Sequence, residues 1–132
     1  MQKIITAFAT DDGKTFMDRH FGDALQYEIY EIDANSHKHI GTINNVTEEE
    51  EMHADPNKAK GVTRLFKKDK VQILVSKKFG GNINRMKKKF VCILMNDPQI
   101  SDSIKTIQRH FDQVVAELEK GEERHFLNYK NK

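Results

Sequence analysis

Apolar positions fall in short runs whose period changes along the chain. Residues 3–9, Lys-Ile-Ile-Thr-Ala-Phe-Ala, form an almost unbroken apolar run stopped by Asp11-Asp12-Gly13, which predicts a buried strand ending in a turn. Residues 27–33 alternate, with Tyr27, Ile29 and Glu31 on one face and Glu28, Tyr30 and Ile32 on the other. The short connection Ala34-Asn35-Ser36 then leads into residues 37–43, so an antiparallel hairpin is expected. Beyond it the period becomes helical. Asp55-Pro56 reads as an N-cap and first-turn proline, followed by Ala59, Val62, Leu65 and Phe66 at helical spacing, which predicts a helix ending near Lys68. Residues 71–76 form the next strand pattern, and Phe79-Gly80-Gly81-Asn82 turns into a short helix with Ile83 and Met86 inward. Residues 90–95 are continuously apolar, as in a strand covered on both faces. From Ser101, a stripe of Ile104, Ile107, Phe111, Val114, Val115 and Leu118 predicts one long helix stopped by Gly121. Three strands followed by alternating helices and strands make an α/β domain over residues 1–121, with residues 122–132 a polar, loosely held tail.

The 132 residues suffice for one domain. No apolar run approaches the roughly 20 residues that cross a bilayer, and Met-Gln-Lys-Ile-Ile-Thr leads into a strand rather than a signal sequence. A cytoplasmic protein without a membrane partner is therefore expected. Cys92 is the single cysteine, which excludes an internal disulfide and any cluster held by several thiolates of this chain. Its neighbours Val91, Ile93 and Leu94 mark it as a buried apolar residue. The formal charge of +2 hides a segregation: residues 58–89 hold 12 Lys and Arg against one acid, so the remainder, including Glu48-Glu49-Glu50-Glu51, carries −9. A basic half either solvates helix faces or meets an anionic partner.

If the first three strands form an antiparallel meander and the last two run parallel to the first, strands one, three, four and five share a direction. Their C-terminal ends then lie along one edge, where ligands of open α/β sheets bind. Residues 11–22, 46–55 and 77–82 and Asn96-Asp97-Pro98 converge there, making His20, His53, Lys77, Lys78, Gly80 and Gly81 candidate neighbours. His20 can ligate a metal or cap its loop, and Phe21-Gly22 permits a sharp turn that presents it outward. His53, between a carboxylate run and a helix cap, reads as a solvated loop residue or a second ligand. Lys77-Lys78-Phe79-Gly80-Gly81-Asn82 joins a strand to a helix and suits either anion contact or a tight turn. It has neither Walker nor G-x-G-x-x-G spacing, so no nucleotide site is expected. His37 and His39, two apart on one strand face, read as exposed hairpin residues rather than a chelating pair.

The succession Thr10-Asp11-Asp12-Gly13, Asp18-Arg19-His20-Phe21-Gly22-Asp23-Ala24 and the strand Tyr27-Glu28-Ile29-Tyr30-Glu31-Ile32-Asp33 resembles the dinitrogenase iron-molybdenum cofactor biosynthesis family, over nearly the whole chain. The resemblance implies a mixed five-stranded sheet flanked by helices, of ribonuclease H-like topology. It further implies a small non-enzymatic carrier or accessory protein for an anionic metal-sulfur cluster, iron-molybdenum-sulfur or molybdenum-copper-sulfur, exchanged with donor and recipient proteins. His20 and His53 would be metal ligands, and Phe21, Gly22, Lys77, Lys78, Gly80, Gly81 and Asn82 would join His20 around the cofactor. No metal is expected to be required for folding. This chain has no cysteine-rich extension, so the cluster would supply most of its own sulfur. Two other classes compete. An interaction module could dock its basic segment on an acidic protein; nucleic acid is disfavoured because interleaved aromatics are missing. A two-metal nuclease of the ribonuclease H-like type would need clustered carboxylates, for which Asp11, Asp12, Asp112 and Glu117 are the candidates. The sequence sets no oligomeric state.

Overall fold

The computed structural model describes residues 2–45, 66–67, 70–81 and 83–130. Strand β1 (Ile4–Thr10) is covered on both faces, as its apolar run requires: Ile4 and Phe8 enter one core, Ala7 and Ala9 the other. It pairs antiparallel with β2 (Gln26–Ile32), in register from Ile4 opposite Ile32 to Thr10 opposite Gln26. β2 in turn pairs antiparallel with β3 (His37–Asn44). Their connection is tied by Asp33, whose carboxylate accepts the N–H groups of Asn35 (2.8 Å) and Ser36 (2.7 Å) and the Ser36 hydroxyl (2.8 Å). A register shift at Ile29/Tyr30 sets Gly41 opposite Ile29 and His39 opposite Tyr30, so Ile40 is the extra residue of a bulge.

On its other side β1 pairs parallel with β4 (Ile73–Ser76), and β4 with β5 (Val91–Leu94); the one-turn helix α1 (Ile83–Met86) lies between them in sequence. α2 (Ile100–Arg109) and α3 (Phe111–Leu118) follow, then β6 (Leu127–Asn128) parallel to β5. Among the described residues the sheet order is β3-β2-β1-β4-β5-β6. β1, β3, β4 and β5 share one direction, the arrangement expected from the sequence.

One core lies on the side of α2 and α3, where Phe8, Ile93, Ile104, Ile107 and Val114 meet. The other gathers Phe21, Tyr27, Phe66, Met86 and Phe90. Cys92 sits in the second core, fully buried, and burial pushes its thiol up to about 12.

Two expectations are corrected. The single C-terminal helix is two, because the backbone leaves helical geometry at His110 (φ −110°, ψ 23°). The five-stranded sheet has six strands, because the end of the chain returns to it. Tyr129 donates its N–H to the Leu94 carbonyl (2.9 Å), and Leu127 and Tyr129 are buried rather than loosely held. Arg124 donates to the carbonyls of Leu118 (2.8 Å) and Lys88 (2.9 Å), while buried Glu117 accepts the His125 N–H (2.9 Å). Of the helix predicted before Lys68, Phe66 and Lys67 are helical. The remainder, the acidic run, His53 and Asn82 lie outside the described residues. Among the described residues no helix is long and apolar enough to cross a membrane.

Candidate functional site

The segment after β1 is built by its own polar side chains. Asp12 accepts the N–H groups of Lys14 and Thr15 (both 2.8 Å) and the Thr15 hydroxyl (2.7 Å), while Gly13 takes φ +83°, a conformation open to glycine. Those N–H bonds hold the Asp12 carboxyl far below the ordinary carboxylate range. Asp11 accepts the Leu25 N–H (3.0 Å) and the Arg19 guanidinium, closing the segment from its far end. Between these ties Phe16 and Met17 are buried, and Thr15 and Lys14 reach the start of α2 through a bridge to Gln99 and a bond from the Ile100 N–H (2.9 Å). Asp18, Arg19 and His20 are left exposed at the C-terminal ends of β1 and β4.

The glycine loop meets them there. His20 and Lys78 form a parallel bridge, with the Phe21 N–H donating to the Lys78 carbonyl (2.9 Å). Phe21 is buried beneath, its ring stacked on Phe79 (5.3 Å between centroids, 14° between planes) and set against Tyr27 and Phe66. This aromatic anchor fixes the chain on either side of His20. A Cβ on Gly80 would stand 3.0 Å from His20 Nδ1, so the imidazole lies directly over that glycine. Among the described residues the ring makes no hydrogen bond to the turn Phe21–Asp23 that it precedes. Lys77 Nζ lies 3.3 Å from Asp18 Oδ1, and Lys78 Nζ donates to the Asp18 carbonyl (3.4 Å).

The structure thus brings together His20, Lys77, Lys78 and Gly80. Gly81 stands beside them with open space around it. Phe21 contributes as a buried support, and the Gly22 carbonyl accepts the Asn45 amide (2.8 Å). The helix after the loop is short, as expected: α1 is one turn, and its Ile83 N–H is taken by the Gly80 carbonyl (3.1 Å) rather than left for an anion. Asp97, on the same edge, is engaged by the hydroxyls of Ser103 (3.0 Å) and Thr106 (3.2 Å) of α2. Among the described residues no three His, Cys, Asp or Glu side chains converge as a metal site. Sequence reasoning passed over Asp18 and Arg19, although their charges flank His20 directly. It also passed over buried Glu28, which accepts from Gln26 (2.5 Å) and Thr42 (2.7 Å) and meets His39 Nε2 at 2.7 Å.

The class is that of open α/β sheets, and the loops that carry His20, Lys77 and Lys78 lie at the strand-end edge where ligands of such sheets bind. The chain belongs to the dinitrogenase iron-molybdenum cofactor family, whose model matches residues 2–112. Its fold is similar to the crystal structure of a Methanocaldococcus jannaschii protein described as a "putative dinitrogenase". That likeness has a TM-score of 0.61 and 19% identity, covering 83% of this chain and 91% of that one. At such identity the likeness is one of fold. None of the curated proteins matches the chain.

Proposed function

We propose that this protein binds and hands on an anionic metal-sulfur cluster, as cargo, at the C-terminal edge of β1 and β4. The observation that carries the reading is the imidazole of His20 seated over Gly80. His20 supplies one ligand to a metal of the cluster. Lys77 and Lys78 offset the cluster's negative charge, and Gly80, lacking a side chain, seats the imidazole that meets it. With a single protein ligand the cargo is held by coordination at one point and by charge elsewhere, which suits transfer to a partner. The family's description supports an iron-molybdenum-sulfur cargo, with a molybdenum-copper-sulfur cluster as the alternative. The strand order, with three antiparallel strands followed by parallel ones, supports a ribonuclease H-like lineage. Nuclease chemistry gains no support, because Asp11 and Asp12 are committed to their own loop.

The test is anaerobic loading of the full chain with iron-sulfide, tetrathiomolybdate or molybdenum-copper-sulfide, followed by bound metal and visible absorption. Stoichiometric, coloured loading that drops at least about tenfold in His20→Ala is expected. Equal loading of the two proteins would remove His20 as ligand, and no loading of either would remove the carrier reading.

A further inference from the structure

Around His20 the positive groups are already engaged by carboxylates of the same loop. Arg19 is held by Asp11, and Lys77 by Asp18. The two acids differ in what else they do. Asp11 also accepts the Leu25 N–H, so it is part of the loop's construction. The Asp18 carboxylate is 83% exposed, and among the described residues its bond is to Lys77 alone. Its main-chain carbonyl receives Lys78, so both lysines of the proposed site are gathered onto one residue. Nothing in the packing of the loop requires that carboxylate: the neighbouring anchors are Met17 and Phe21, buried on either side of it.

We propose that Asp18 is a release-determining residue, an internal anion that competes with the cargo for Lys77 and keeps its retention low. The inference rests on the carrier reading above. An exposed ion pair is weak, a few-fold in an equilibrium constant, so an anion of charge −2 or more displaces it on arrival. The same carboxylate then faces the bound anion two residues from His20, repels it, and recaptures Lys77 as the cargo leaves. A site with His20 and an unopposed Lys77 would hold the same anion longer. The charge order Asp18-Arg19-His20 therefore encodes reversibility rather than affinity.

The experiment loads the full chain with tetrathiomolybdate, a dianion, and follows molybdenum loss after dilution in Asp18→Asn, Asp18→Glu and Glu122→Gln. Glu122 makes the same change of net charge from the turn Gly121–Glu123, beyond α3. Asp18→Asn is expected to release about fivefold more slowly at low salt, with the difference shrinking as salt is raised, while Asp18→Glu stays near the parent rate. Glu122→Gln is expected to release at the parent rate. Release from Asp18→Asn at or above the parent rate would overturn the proposal, as would an equal slowing in Glu122→Gln, which would reduce the effect to net charge. Loading that depends on His20 with no effect at Asp18 would remove this inference and leave the carrier reading standing. Absence of loading in parent and His20→Ala alike would remove both.

Discussion

Gly80 carries no side chain where His20 occupies the space that one would need. A methyl group there would stand 3.0 Å from Nδ1, 3.4 Å from Cγ and 3.6 Å from Cε1 of the ring. His20 is exposed and can turn aside, so Gly80→Ala should change stability by less than about 1 kcal/mol while moving the imidazole out of place. Gly81→Ala meets nothing within 4 Å and should leave both stability and the ring unchanged. Thermal melts paired with cluster loading separate the two. Loss of loading in Gly80→Ala alone is the expected result, and equal loading in both would show that the ring's seat is immaterial. The sequence marked His20 and the glycine pair as candidates, since a histidine before Phe-Gly and a double glycine after a strand each carry a local meaning. What distinguished Gly80 from Gly81 was a contact across 60 positions of chain, for which no local pattern exists. Asp18 was hidden for a related reason: an exposed acid beside an arginine looks like ordinary surface until its lysine partner is known.

Among the elements, β2 was legible as a strand from its alternation, and β1, β4 and β5 from unbroken apolar runs that are buried on both faces. The two elements that escaped had no period to read. The apolar stripe from Ile104 to Leu118 passes straight through His110, so the break between α2 and α3 leaves no trace in hydrophobic pattern. β6 offers only Leu127 and Tyr129 between polar residues, too few to show alternation. Yet β6 covers the edge of β5, and Tyr129 ties three elements together. Its N–H bonds Leu94, its ring stacks on His110 at 4.5 Å, and its hydroxyl donates to Gln113 (2.5 Å). Burial raises the Tyr129 phenol to about 12, so it remains a donor throughout the neutral range. Tyr129→Ala should therefore cost about 3 kcal/mol in urea unfolding. A chain ending at residue 123 should lose more and self-associate through the bared β5 edge. A Tyr129→Ala loss under about 0.5 kcal/mol would mean that the tail merely rests on the sheet.

For the molecule as a whole, the acidic groups fix how the fold responds to pH. Glu28 and Glu117 are buried, and Asp12 and Asp33 tie the two turns that flank the β1–β2 pair. All four carboxyls sit below their ordinary values. For Glu28 desolvation acts in the opposite sense and is outweighed by bonds from Thr42, His39 and Gln26. Because each folded value is the lower one, the unfolded chain binds more protons as the solution is acidified. The stability these groups give is complete above their ordinary values of 4.5 for Glu and 3.8 for Asp, and falls away as pH drops through the folded values. Stability should thus be level from about pH 7 down to about pH 5 on account of these groups, then decline. Glu28→Gln tests the largest buried share of this, since it retains the shape and surrenders the charge that three donors were arranged to meet. The variant should be clearly less stable than the parent near pH 7, and the gap should close as both are acidified below the ordinary glutamate value and the parent's Glu28 takes up its proton. Urea midpoints of the two proteins across that range decide the matter. Parallel curves would mean that Glu28 is held by shape alone, whereas converging ones identify its charge as what joins β2 to the edge strand β3 through His39 and Thr42.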